Sequence, residues 1–180
     1  AGLKLVYSPL NGSGLVPVTH VLGDIGITDI TIVPEQKDPD GNFPTCPYPN
    51  PEIPEAMVLG LACCGRVHPD LLIGTDPDCD RVAVAVPVEG SFRKLSGNEL
   101  GCLLLDYVIN ARRATGTMPE NPGAMASIVS TSMARTICEK NGVHFEDTFT
   151  GFKFMAELVN HWDAAGTYHY IFAFEESYGY

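Results

Sequence analysis

A chain of 180 residues with 45% hydrophobic content has enough apolar material for a packed core, either as one domain or as two small ones. A net charge of −11, with only 11 Lys and Arg, leaves no basic face, which argues against nucleic acid or an anionic membrane as a partner. Six cysteines without a C-x-x-C pair, and a start unlike a signal peptide, point to free thiols in a reducing cytoplasm. No apolar run approaches the roughly 18 residues of a membrane span.

Residues 3–7 read as a first strand, and Pro9-Leu10-Asn11-Gly12-Ser13-Gly14 as the turn into a helix over 16–22. Gly12 and Gly14 suggest a dinucleotide fingerprint, but its third glycine would fall on Pro17, so a plain strand-to-helix turn is preferred. Residues 30–33 form the second strand. The proline-rich segment 34–54 is too long for a mere connector. Asn50-Pro51-Glu52 reads as N-cap, first-turn proline and first-turn acid of a helix reaching residue 64, with Gly65 as its stop. His68 is taken as a surface residue, and residues 71–73 as the third strand. Residues 82–88 return as a further strand, turned by Glu89-Gly90-Ser91. A helix over 98–113 follows, with Leu100, Leu103, Leu104, Tyr107 and Val108 as its core stripe.

A boundary at 89–97 divides the chain into domains 1–92 and 93–180. In the second, residues 114–123 read as loop and 127–129 as a strand. Thr131 or Ser132 caps a helix ending at Gly142, and 143–148 is the next strand. Thr150-Gly151-Phe152-Lys153 opens a helix to residue 162, and 170–174 is a third strand ending in Glu175-Glu176-Ser177-Tyr178-Gly179. The expected fold class is α/β, as two consecutive βαβαβ three-layer units with mainly parallel sheets. Ligands of such units bind beyond the carboxyl ends of the strands.

The polar motifs fall at those ends. Asp76, Asp78 and Asp80 alternate within Gly74-Thr75-Asp76-Pro77-Asp78-Cys79-Asp80-Arg81, a loop stiffened by Pro77, and alternation turns their side chains toward a common centre. Two carboxylates at 4 Å repel by about 4 kcal/mol at a surface-like dielectric, so three converging acids call for protons or a cation. An all-oxygen set with few ligands suits magnesium; a solvated acidic turn is the plainer alternative. An EF-hand would need Gly and Glu where Arg81 and Pro87 stand, and a D-x-D-x-T phosphatase loop would need Thr at Asp80. Arg81 beside the acids is a natural clamp for a substrate phosphate. Thr150-Gly151, with free amides at a helix N-terminus and Lys153 one turn in, suits a phosphate or sugar oxygen, although an ordinary capped helix looks the same. Glu175 and Ser177 could accept from and donate to vicinal hydroxyls, or simply form a solvated turn.

Taken together, Tyr7-Ser8-Pro9-Leu10-Asn11-Gly12, Pro39-Asp40-Gly41-Asn42-Phe43-Pro44 with Pro49-Asn50-Pro51-Glu52, the Asp76–Arg81 loop, Thr150-Gly151-Phe152-Lys153 and Phe174-Glu175-Glu176-Ser177-Tyr178-Gly179 resemble the α-phosphohexomutase family, the phosphoglucomutases and phosphomannomutases. That family has four domains, and this chain resembles the second and third. Its phosphate-carrying serine lies in a Ser-His-Asn-Pro setting, and no serine here is followed by His-Asn.

The resemblance implies a parent enzyme that interconverts hexose 1-phosphate and hexose 6-phosphate through a phosphoserine and a bisphosphorylated sugar. Asp76, Asp78 and Asp80 would hold Mg2+, completed by the phosphoserine. Arg81 would steady the phosphate and Lys153 the reacting oxygens. Thr150 and Gly151 would bind substrate, and Glu175 and Ser177 would grip the sugar 3- and 4-hydroxyls. The first and fourth domains of the parent are the implied partners, and without them the chain is expected to be inactive. A magnesium-dependent phosphatase and a metal-dependent interaction module are the alternatives.

Overall fold

The computed structural model describes residues 2–180 and divides the chain between Leu95 and Ser96. The first unit runs β1 (Lys4–Ser8), α1 (Leu15–Asp24), β2 (Asp29–Ile32), a 3-10 turn (Pro34–Gln36), α2 (Pro54–Val67), β3 (Leu71–Thr75), β4 (Val82–Val88) and β5 (Ser91–Lys94). Its sheet has the order β2-β1-β3-β4-β5, with β1 parallel to both neighbours and β4 antiparallel to β3 and β5. Val6, Leu72 and Ala85 from three adjacent strands pack with Met57, Cys63 and Cys64 of α2. The strand β1 is buried at four successive positions, Leu5 to Ser8, as a central strand covered on both faces is.

Three details of the first unit differ from the sequence reading. The helix starts at Pro54 and not Pro51, because Asn50 accepts the Glu52 N–H at 2.9 Å and closes a separate turn ahead of it. Gly65 stays helical, and the stop is His68, left-handed at φ 48°, whose N–H donates to the Cys64 carbonyl. The strand β5 was missed: Glu89 and Gly90 have φ of 49° and 84°, the two-residue hairpin geometry that folds Ser91 back opposite Val88. The first unit therefore extends past residue 92.

The second unit runs α3 (Gly97–Ala114), β6 (Pro122–Ser127), α4 (Met133–Lys140), β7 (His144–Thr148), α5 (Phe152–Ala165) and β8 (His169–Phe174). Its sheet, β7-β6-β8, is parallel throughout. Ala124 and Ala126 of β6 face Leu105 and Ile109 of α3 and Ala134 and Cys138 of α4, whereas Met125 between them faces Met155 and Trp162 of α5. Alternation along one strand thus builds three layers. A bulge between Gly123 and Ala124 leaves Ile171 as the extra residue of β8, and both Ile171 and Phe172 pack on the α3/α4 side.

The first strand of this unit covers 122–127 and not 127–129. Ile128 and Val129, which looked like strand residues, are each 57% exposed beyond its end. The strand itself is made of small residues because its neighbours come close: a methyl group at Gly123 would stand 2.6 Å from the Trp162 ring.

Ser96 opens α3 with a capping box. Its hydroxyl accepts the Glu99 N–H at 3.2 Å, and the Glu99 carboxylate accepts the Ser96 N–H at 2.8 Å. Ser96→Ala is expected to cost about 1 kcal/mol in urea unfolding, and Ser96→Gly only a few tenths. The six cysteines are free, and no helix among the described residues is long and apolar enough to cross a membrane.

Candidate functional site

The loop between β3 and β4 curls around one carboxylate. Asp76 is buried, and its Oδ1 accepts the N–H groups of Asp80 at 3.1 Å and Arg81 at 2.9 Å. The Cys79 N–H donates to the Asp76 carbonyl at 3.0 Å, and Cys79 takes the left-handed φ of 63° that lets the chain turn back. This curl, and not strand alternation, brings the acids together. One carboxylate oxygen each from Asp76, Asp78 and Asp80 lie within 4.8 Å of one another, the first buried and the other two exposed.

Charge in this cluster is poorly balanced. The Arg81 Nε lies 3.8 Å from Asp76 Oδ2 and 3.9 Å from Asp80 Oδ1, too long for a tight pair. The Asp76 carboxyl is held up at about 6, first by burial, against the Arg81 N–H, which pulls it down, and with Asp78 and Asp80 adding to the rise. Such a site is short of positive charge. Its donors are all carboxylate oxygens, which fit a hard divalent cation, and the Asp78 and Asp80 side chains are open to it.

The second cluster lies at the carboxyl ends of the strands of the second unit. Glu175, 7% exposed just beyond β8, accepts the Gly151 N–H at 2.5 Å through Oε1. Gly151 precedes α5 with φ 118°, a conformation that favours glycine. The structure therefore joins two of the motifs picked out by sequence. The Glu175 N–H donates to the Gly179 carbonyl at 2.9 Å, which closes the 175–179 turn and leaves Ser177 half-buried on it. Thr150 and Lys153 are exposed, and the Lys153 Nζ lies 4.6 Å from the Phe154 ring centre.

Sequence reasoning missed two supports of this turn. The Glu176 Oε2 accepts from the hydroxyls of Ser127 at 3.0 Å and Ser130 at 3.4 Å, which ties the ends of β6 and β8. Gly97 at the start of α3 lies against the Glu176 carbonyl so closely that a methyl group there would overlap it. Two consecutive glutamates leaving one strand point to opposite sides, and that was the signal for separate roles.

Residues 1–90 match the family model described as phosphoglucomutase/phosphomannomutase, alpha/beta/alpha domain II, and residues 96–180 match that of domain III. The chain belongs to the phosphoglucomutase/phosphomannomutase family. It is 34% identical over 179 residues to a phosphoglucomutase of Staphylococcus epidermidis, covering 99% of this chain and 32% of that protein. It is 36% identical over 184 residues to the phosphoribomutase of Saccharomyces cerevisiae, covering 97% of this chain and 29% of that one. The chain thus spans about a third of the length of these relatives. Among solved structures, a phosphoglucomutase/phosphomannomutase family protein of Burkholderia thailandensis superposes with a TM-score of 0.77 at 19% identity, covering 98% of this chain and 34% of that one, and shares the fold. Within the family's division the Asp76, Asp78 and Asp80 loop falls in domain II, and Gly151 and Glu175 fall in domain III.

Proposed function

We propose that this chain supplies the metal site and the sugar-binding end of a phosphosugar mutase that interconverts hexose 1-phosphate and hexose 6-phosphate. The observation that carries this reading is the convergence of three aspartate carboxylates within 4.8 Å, with Arg81 directly after them, in a chain of this family. Asp76, Asp78 and Asp80 would hold Mg2+, which when bound supplies Lewis-acid polarisation of a phosphoryl oxygen. Arg81 would orient the phosphate as a fork of donors. Thr150 and Lys153 would bind the oxygens of the substrate; Gly151, expected to offer a free amide, spends its N–H on Glu175 and its carbonyl on the Phe154 N–H, so it would shape the turn, and Glu175 with Ser177 would meet sugar hydroxyls.

The proposal includes an inactive isolated chain. Shuttling phosphate needs a nucleophile, and none of the serines here stands in the Ser-His-Asn setting. Purified chain given Mg2+, glucose 1-phosphate and glucose 1,6-bisphosphate is expected to form no glucose 6-phosphate. Turnover above background would overturn that, and phosphate release without isomerisation would favour a phosphatase. A pentose phosphate is the second reading of the substrate, favoured by the 36% identity to a phosphoribomutase. Calorimetry with glucose 6-phosphate and ribose 5-phosphate side by side separates the two.

A further inference from the structure

The Asn11-Gly12-Ser13-Gly14 turn, which has no part in the reading above, packs directly beneath the carboxylate loop. The Ser13 N–H and the Ser13 hydroxyl both donate to the Pro77 carbonyl, at 2.8 and 2.9 Å. That carbonyl belongs to the peptide that leads into Asp78, so two donors from one residue fix the plane from which the Asp78 side chain projects.

The glycines on either side are there for space. A methyl group at Gly12 would stand 2.2 Å from the Pro77 Cα and 2.5 Å from its oxygen. One at Gly14 would stand 2.4 Å from the Tyr7 hydroxyl, 2.7 Å from Thr75 Oγ1 and 3.0 Å from Cys79 Sγ. The Tyr7 hydroxyl and Thr75 Oγ1 are themselves hydrogen-bonded at 2.8 Å in the core. The turn touches the loop at its entry, Thr75, at its second residue, Pro77, and at its left-handed residue, Cys79.

The turn is in turn anchored from its far side. The Asn11 N–H donates to the Gln36 carbonyl at 2.9 Å, its side-chain amide donates to the Asp38 carbonyl at 2.9 Å, and its Oδ1 accepts from the Thr45 hydroxyl at 3.1 Å. Leu10 and Asn11 hold left-handed φ of 49° and 56°, a conformation that surrounding contacts must enforce. The base on which the loop rests is therefore fixed, and it moves only if the 34–54 segment moves with it.

We infer that Ser13 is a positioning residue for the carboxylate loop, setting the Pro77–Asp78 peptide so that Asp78 meets Asp76 and Asp80, with Gly12 and Gly14 allowing the approach. For its consequence on cation binding this rests on the metal reading proposed above; for the loop's geometry it stands alone.

The test is Ser13→Ala and Ser13→Thr in the full 180-residue chain, read by residue-resolved amide exchange and by Mn2+ titration. Losing one of the two donors to Pro77 is expected to raise exchange at Cys79, Asp80 and Arg81 about three- to tenfold, the worth of one net hydrogen bond, without changing it within β3 and β4. Mn2+ affinity is expected to fall by a similar factor, and Ser13→Thr to restore both. Unchanged loop exchange in Ser13→Ala overturns the inference whatever the metal result. If the unsubstituted chain takes up no Mn2+, the metal reading fails, while the exchange data still judge Ser13. Gly12→Ala, which must displace Pro77, is expected to give a larger loss, and Ser13→Ala decides the matter if that variant does not fold.

Discussion

Asp76→Ala is expected to lower divalent cation affinity at least about a hundredfold, the largest effect of any single change in the loop. Alanine removes a ligand and also the acceptor that holds the Asp80 and Arg81 N–H groups, so the loop uncurls and the other two acids separate. Each hydrogen bond to a charged acceptor is worth about 1.5–3 kcal/mol, and tenfold in affinity is about 1.4 kcal/mol. Asp76→Asn keeps an acceptor and loses the charge, so it is expected to bind weakly while the loop amides stay protected. Mn2+ titration of the three proteins orders them; equal affinity of Asp76→Ala and the unsubstituted chain would remove Asp76 from the site.

The same residue sets a pH dependence. Without a cation the Asp76 carboxyl keeps its proton up to about 6, against an ordinary value of 3.8, chiefly because it is buried. Between those values the folded chain binds more protons than the unfolded one, so stability falls as pH rises through the window, and the loss is complete above it. A cation competes with that proton. The rise in Tm on adding Mg2+ is expected to be greatest above about pH 7 and to disappear toward about pH 5. A rise that does not vary with pH would dissociate the cation from Asp76.

Glu175→Ala is the second large effect expected, at about 2–3 kcal/mol in urea unfolding, since it strands the Gly151 N–H at a partly buried position and removes a charge-assisted bond. Glu175→Gln keeps an acceptor of half the strength and is expected to lose about 1 kcal/mol. Amide exchange at Gly151 should quicken in both, most in the alanine variant. If Gly151 stays equally protected in Glu175→Ala, the glutamate does not hold the start of α5.

The alternation of strands and helices, and the carboxylate loop, were legible because short apolar runs and repeated acids carry local signals. What escaped was decided by tertiary contact. The strand β6 is spelled Gly123-Ala124-Met125-Ala126, a poor strand former, and is a strand because Trp162 and helices α3 and α4 press on it from both sides. Ile128 and Val129 carry the propensity and lie outside the strand. Asn50 has the chemistry of a helix cap and spends it on the Glu52 amide. In the site, Asp76, Asp78, Asp80 and Arg81 could be named from one stretch. Ser13 could not, because its partner Pro77 lies 64 residues away and nothing in either stretch points to the other.

The ladder between β3 and β4 sets Leu72 opposite Ala85 and Thr75 opposite Val82, so both ends of the 76–81 loop are pinned by backbone pairing that owes nothing to the acids. The loop is thereby an interchangeable cassette in a fixed frame. Its side chains can be rewritten without disturbing the register of the sheet. The limit on what may be inserted comes from below, where any replacement must offer a carbonyl in the place of Pro77 and leave nothing bulky over Gly12. The side chains of the loop can therefore change while the sheet that carries it stays as it is.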